Sequence, residues 1–167
     1  VGRVDWKANG VREDLWRVGL DGSDPRRMVE GPASGAAWAP DGRRFAFVAK
    51  RDGDSGRQIY LSPIDGGEPR RLGKVRTSPS SLRWAPDGSA IYFLADGPDG
   101  KALAKRKREK DDMMSFETPQ SRGRLWRIAL ADGKAEPVIE GEFEVEAYDL
   151  SADGKSILYR RAPSGLL

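Results

Sequence analysis

The stretch Trp38-Ala39-Pro40-Asp41-Gly42 decides the fold, because the chain repeats it residue for residue as Trp84-Ala85-Pro86-Asp87-Gly88. A looser copy, Leu150-Ser151-Ala152-Asp153-Gly154, follows later in the chain. Proline presets the backbone φ angle at the second position of a turn, and glycine accepts the left-handed conformation that closes a type I turn with a bulge. An apolar run follows each copy, as in Phe45–Val48, Ile91–Leu94 and Ile157–Tyr159. Each copy therefore predicts a β-hairpin.

A second signal alternates with the first, namely an apolar strand that leads into an Asp-Gly turn. A short and often basic strand follows each turn, and the signal occurs three times: Leu15–Leu20 before Gly22, Ile59–Ile64 before Gly66, and Leu125–Leu130 before Gly133. Together the two signals predict four short strands in each unit. The chain is therefore expected to be all-β.

The spacing of the turn glycines identifies the architecture. Gly42 and Gly88 are 46 residues apart, and Gly22 and Gly66 are 44 residues apart. Four short strands in such a period are typical of the blade of a β-propeller, whose repeats run from about 40 to about 50 residues. The interval from Gly88 to Gly154 is 66 residues, which places an insertion of roughly 20 residues in the third unit.

Counting units gives about three four-stranded blades. We expect blade ends near residues 1–30, a blade at 36–72, a blade at 81–139 with its insertion at about 97–123, and the start of another blade at 145–161. Closed propellers usually have from 4 to 8 blades. The sequence is therefore expected to be part of a larger propeller, with seven or eight blades.

The insertion contains two groups of residues that could have a function. The run Lys105–Lys110 is basic, but acidic residues follow it and no aromatic side chains interleave with it, so we interpret it as a solvated loop rather than a nucleic-acid site. Met113, Met114 and Phe116 form a small apolar group. Two interpretations stay open for that group, a lip that contacts a peptide substrate and an anchor for the loop, of which we favour the anchor.

Composition excludes several kinds of chemistry from this segment. The chain has 167 residues, a net charge of +3, no histidine and no cysteine. A Ser-His-Asp or Cys-His nucleophile system needs residues that are missing here. We therefore expect no catalytic, cofactor-binding or metal-binding residues, and neither nucleic acid nor a membrane as a partner. The cytoplasm is favoured as the compartment, with the periplasm as the alternative.

Two rows of side chains have structural and functional interpretations. Trp16, Trp38, Trp84 and Trp126 are predicted to take equivalent positions in the repeat and to pack between blades. Glu142, Glu144 and Glu146 alternate, so on a strand their carboxylates would share one face. For this row we favour an exposed, charged strand edge over a site for a peptide amino terminus or an arginine side chain.

The turn phrase, the apolar strand and the segment Ile64-Asp65-Gly66-Gly67-Glu68-Pro69-Arg70-Arg71-Leu72 resemble the TolB-type propeller repeat. Similar repeats form the amino-terminal propeller of the prolyl-oligopeptidase family, especially its acylaminoacyl-peptidase-like members. The match is closest at 38–72 and covers nearly the whole chain outside 101–122. The opening strands around Val1–Trp6 and Asp14–Trp16 also resemble those of peptidase propellers.

This resemblance implies that the parent protein is a serine exopeptidase or oligopeptidase. The propeller would gate the access of short peptides to a separate α/β-hydrolase domain, so its partners would be that domain and the peptide substrate. No residue of the family's catalytic triad can be placed on this sequence. The alternatives are a non-enzymatic TolB-like scaffold that holds other proteins, and a fragment that assembles with copies of itself.

Overall fold

A computed structural model describes residues 3–5, 10–12, 14–97, 123–141 and 143–163, the first two ranges by their backbone alone. These residues form β-strands and turns, and none of them lies in a helix that could cross a membrane. The strands are Arg3–Asp5 (β1), Gly10–Arg12 (β2), Leu15–Arg17 (β3), Arg26–Val29 (β4), Ala33–Trp38 (β5), Arg44–Ala49 (β6), Gln58–Pro63 (β7), Arg70–Arg71 (β8), Ser80–Trp84 (β9), Ala90–Asp96 (β10), Gly123–Ala129 (β11), Ala135–Pro137 (β12), Phe143–Leu150 (β13) and Ile157–Pro163 (β14).

The strands are arranged as antiparallel sheets that follow the chain order. Two sheets have four strands each, the first complete blade (β5–β8) and the second complete blade (β9–β12). Three hairpins, β1–β2, β3–β4 and β13–β14, form two-stranded sheets. The repeat predicted from the sequence is thus present as a four-stranded meander.

The predicted turn geometry is confirmed in all three copies of the phrase. The N–H groups of Gly42, Gly88 and Gly154 each donate to the carbonyl oxygen three residues earlier, at 2.9 Å. The three glycines have φ angles of 66°, 71° and 70°, in the left-handed region where a side chain is strained. The aspartate also has a clear role in the turn, since Asp41 Oδ1 accepts a hydrogen bond from the backbone N–H of Arg43 at 2.9 Å.

The main core lies between the two complete blades. Its fully buried members come from the second and third strands of both blades: Ala46 and Val48 on β6, Ile59 on β7, Ile91 and Phe93 on β10, and Ile128 on β11. The blades also approach closely at Gly73 and Gly133, because a Cβ atom on Gly73 would collide with the Gly133 carbonyl oxygen and one on Gly133 would collide with the Leu72 carbonyl oxygen. Apolar burial at this junction therefore fixes how one blade stacks on the next.

The four tryptophans do not share a position, so that prediction is wrong. Trp38 and Trp84 end the first strands of their blades, whereas Trp16 lies on β3 and Trp126 on β11, which are third-strand positions. Trp84 packs between the two complete blades and is 7% exposed, but Trp16 and Trp38 are 54% and 52% exposed. The tryptophans thus form two pairs in the repeat: Trp38 and Trp84 belong to the first signal, and Trp16 and Trp126 belong to the second.

A candidate binding wall on the first strands

The first strands of consecutive blades lie side by side and form one continuous surface. β5 contacts β9, and β9 contacts β13. Hydrogen bonds join them directly: Trp84 Nε1 donates to the Ala37 carbonyl at 3.0 Å, and the Tyr148 hydroxyl donates to the Ser81 carbonyl at 2.6 Å. In a propeller the first strand of each blade is nearest the central channel, so we name β5, β9 and β13 the axial wall.

A β-bulge interrupts each strand of the axial wall. On β5 the pairing with β6 shifts between Ser34 and Ala37, and on β13 the pairing with β14 shifts between Val145 and Ala147. On β9 the pairing with β10 shifts between Ser80, which pairs with Leu94, and Arg83, which pairs with Tyr92. A bulge adds one residue to a strand, takes that residue out of the ladder and turns its side chain in a new direction.

The bulges on β5 and β9 follow the repeat. Gly35 and Ser81 have φ angles of 61° and 51°, and each lies three residues before the tryptophan of its turn phrase. On β13 the residue left out of the pairing is Glu146, because Val145 pairs with Arg161 and Ala147 with Arg160, so this bulge lies four residues before Leu150. Ser81 is notable because residues other than glycine rarely adopt a left-handed backbone. The bond from Tyr148 holds its carbonyl oxygen in this conformation.

A recess of about 340 Å³ lies over the bulges. Gly35 and Ala36 of β5 form one side, Ser81–Arg83 of β9 form the floor, and Glu146–Tyr148 of β13 form the other side. Glycine, alanine and serine are four of its eight lining residues, and at these positions the backbone comes close to the surface.

Charged groups at the recess form two ion pairs. Arg83 Nε lies 3.7 Å from Asp149 Oδ1, and both side chains are more than half exposed. Arg160 Nε lies much closer to its partner, 2.6 Å from Glu146 Oε2. Burial raises the pKa of Tyr148 well above the ordinary value of tyrosine, so this hydroxyl stays protonated and keeps its role as a donor.

The row of glutamates is broken by the bulge in β13. Glu144 is partly buried and its Oε1 accepts the backbone N–H of Gly123 at 3.1 Å, whereas Glu146 is exposed and pairs with Arg160. Glu142 lies outside the described residues. The two described carboxylates therefore have separate local partners. The alternation of glutamates in the sequence did not reveal that Glu146 is the extra residue of the bulge, between the pairs Val145–Arg161 and Ala147–Arg160.

The other predicted residues have structural roles or fall outside the described part of the chain. Pro40, Asp41, Pro86 and Asp87 build the turns after the axial strands, at some distance from the recess. Met113, Met114 and Phe116 lie outside the described residues, so their role as lip or anchor stays a prediction. Sequence reasoning missed the recess, although Gly35 and Ser81 share the 46-residue spacing of the phrase.

A larger surface groove, of about 700 Å³, lies between the two complete blades. The connector Lys74–Thr77, the end of β10 at Gly97 and the turn at Gly133 line it, together with Trp126 on a third strand. Its basic Lys134 already contacts Glu136 at 2.8 Å. Because third- and fourth-strand residues contribute to this groove, it lies away from the axial wall.

Comparison with known proteins relates the chain to peptidases. No family model matches it. An uncharacterised peptidase of Bacillus subtilis, YuxL, is 32% identical over 134 residues, which cover 79% of this chain and 20% of that protein. Dipeptidyl-peptidase 5 of Trichophyton schoenleinii is 28% identical over 107 residues, which cover 54% of this chain and 15% of the relative. The chain thus spans a fifth or less of these curated relatives.

Solved structures share the fold. A TolB-type protein of Agrobacterium tumefaciens superposes with a TM-score of 0.67 at 20% identity, over 93% of this chain and 48% of that one. A puromycin-hydrolysing peptidase of Mycobacterium tuberculosis superposes with a TM-score of 0.61 at 18% identity, over 91% and 23% of the two chains. An acylaminoacyl peptidase of Pyrococcus horikoshii gives a TM-score of 0.56 at 13% identity, over 86% and 25%.

These matches confirm an all-β fold built of propeller blades, as the repeat predicted. They also confirm the resemblance to TolB-type and peptidase propellers, because the homologues in sequence are peptidases. The chain is a propeller segment that is similar in sequence to peptidases.

Proposed function

We propose that this propeller segment gates the access of short peptides to a separate α/β-hydrolase domain of a serine peptidase. The observation that carries the proposal is the similarity to YuxL, a peptidase of which this chain matches 20%. The matched part would supply the gate, and the rest of such a protein would supply the catalyst. The matches to dipeptidyl-peptidase 5 favour an enzyme that acts on short peptides.

The chemistry of the segment agrees with a steric role. With no histidine and no cysteine in the sequence, it cannot form a nucleophile–base pair of the Ser-His or Cys-His type. One polar cluster is paired within the fold, since the Asp54 carboxylate accepts hydrogen bonds from the Tyr60 hydroxyl at 2.6 Å and from Arg71 Nη1 at 2.9 Å. The catalytic serine, aspartate and histidine would then belong to the hydrolase domain.

The axial wall gives the gate a physical basis. Interlocked first strands form a stiff surface, because the bonds from Trp84 to Ala37 and from Tyr148 to Ser81 tie each blade to the one before it. A passage bounded by such strands has a width set by the backbone. An extended peptide can pass through it, whereas a folded domain is too wide.

The test is to express the complete reading frame that contains these residues and treat it with a fluorophosphonate, which labels activated serines. We expect one labelled serine outside this segment, hydrolysis of short peptides, and no label on the 167-residue chain itself. Replacing the labelled serine with alanine is the matched control and should abolish both signals. A reading frame with no reactive serine would overturn the proposal in favour of the TolB-like scaffold.

A further inference from the structure

We infer that the recess on the axial wall binds an extended peptide that carries a carboxylate, and that Arg83 recognises this carboxylate. The inference rests on the proposed function, since it names the class of peptide that the gate would favour. It is carried by the bulges, the small side chains and the charge pattern of β5, β9 and β13.

The bulges provide the contacts for the peptide backbone. The bulges at Gly35 and Ser81 withdraw backbone groups from strand pairing, so these groups can turn toward the surface, except the Ser81 carbonyl oxygen, which already accepts the Tyr148 hydroxyl. The bulges at Gly35 and Ser81 recur at the same offset from the turn phrase, and β13 has its bulge one residue earlier, at Glu146. The three strands lie in contact, β5 with β9 and β9 with β13. Backbone groups placed in this way recognise an extended chain through main-chain hydrogen bonds, independently of its side chains.

The small side chains leave room for the peptide to approach. Gly35, Ala36, Ser81 and Ala147 are all exposed, and none extends further than a hydroxymethyl group. A larger residue at any of them would fill part of the 340 Å³ recess. Small residues on all three strands therefore leave room for a peptide backbone.

The charged residues of the recess favour a ligand that carries a carboxylate. Arg83 is the one basic residue among those that line the recess, and its contact with Asp149 is long and exposed. Exposed pairs of this kind are weak, so Asp149 competes weakly for the guanidinium. A ligand carboxylate can instead engage Arg83 through two parallel hydrogen bonds. Glu146, the acidic lining residue, is neutralised by its close contact with Arg160.

The experiment measures binding of two matched probes to the 167-residue chain by isothermal titration calorimetry. The probes are the blocked pentapeptides acetyl-Ala-Ala-Glu-Ala-Ala-amide and its Gln counterpart. We expect the Glu peptide to bind about tenfold more tightly, since hydrogen bonds to charged groups are stronger than neutral ones. Arg83→Gln should remove this preference, and Arg83→Lys should retain part of it because lysine keeps the charge without the planar fork.

Two further variants distinguish binding in the recess from attraction of the acidic peptide to the positive charge of the whole protein. Arg70→Gln removes an exposed arginine from the outer strand β8 and should leave the preference unchanged. Ala147→Leu narrows the recess and should weaken the binding of both peptides alike, with circular dichroism confirming the native fold.

Equal binding of the two probes, no binding of either, or a Glu preference that survives Arg83→Gln would overturn the inference. Loss of fluorophosphonate labelling in the longer protein would leave these affinities intact, so the two proposals fail separately.

Discussion

The two identical copies of the turn phrase occupy different environments. Trp84 is 7% exposed, donates its indole N–H to the Ala37 carbonyl, and lies under the guanidinium carbon of Arg44, which is 5.4 Å from its ring centroid. Trp38 is 52% exposed and makes an edge contact with Phe45 at 5.9 Å between ring centroids.

The preceding blade explains the difference. Trp84 is covered by the complete four-stranded sheet β5–β8, whereas Trp38 adjoins the two-stranded sheet β3–β4. The five residues therefore specify the hairpin locally, and the neighbouring blade determines what the tryptophan contributes to stability. Each of the following experiments compares the two blades or the two kinds of contact.

The largest effect is expected from truncating the tryptophans. Trp84→Ala should lower the free energy of unfolding by about 3–5 kcal/mol, because it opens a cavity between the complete blades. Trp38→Ala removes a half-exposed side chain and should cost about 1 kcal/mol or less. Chemical denaturation of the two variants measures the contrast, and equal losses would contradict the role given to the preceding blade.

The turn glycines should behave alike, because their role is local. Gly42→Ala and Gly88→Ala each force a Cβ atom into a left-handed conformation, with φ angles of 66° and 71°, at a cost of about 1–2 kcal/mol. A Cβ atom would have open space at both sites, so backbone strain alone is tested. Gly56→Ala, which also has open space but no positive φ, is the control and should be nearly neutral. Unequal losses at Gly42 and Gly88 would mean that the turn depends on its blade.

The hydrogen bond between β13 and β9 should have a smaller effect. Tyr148→Phe removes the hydroxyl that donates to the Ser81 carbonyl and should cost about 1 kcal/mol. The ring stays in place, so apolar packing is preserved. A melting temperature equal to that of the unmodified chain would show that this bond contributes nothing to holding the blades together.

The smallest effect concerns the loop between β6 and β7 in the first complete blade. The Tyr60 hydroxyl, and also the Arg51 backbone and Arg71, hold the pKa of Asp54 below its usual value. A depressed folded pKa stabilises the protein above the unfolded pKa of about 3.9, and the contribution is lost as the pH falls through the folded pKa. Asp54→Asn should therefore be destabilising at pH 7 and nearly neutral at strongly acidic pH. A difference that does not change with pH would contradict this account.

Local features of the fold could be predicted from the sequence, and features that depend on distant contacts could not. The hairpins and the blade period follow from Pro40, Gly42 and their counterparts, because these residues fix the backbone of their own turns. The exposure of Trp38 depends on the blade that precedes it. The left-handed Ser81 was not predictable, since its conformation is secured by Tyr148, which lies 67 residues further along the chain.

The candidate site was predicted least well for the same reason. Bulges on β5, β9 and β13 change the direction of side chains without leaving a polar motif in the sequence. Arg83, on the floor of the recess, is one arginine among the chain's 29 basic residues and has no distinguishing neighbours. Only the placement of three first strands side by side brings it next to Glu146 and Asp149.

The most direct test of the gate compares one cleavable peptide sequence in two contexts, with the complete reading frame as the enzyme. In the first the peptide is free, and in the second it forms a surface loop of a stably folded carrier domain. The account predicts that the free peptide is hydrolysed and that the loop is cleaved only after the carrier has been unfolded. Equal rates for the free peptide and the folded carrier would contradict it.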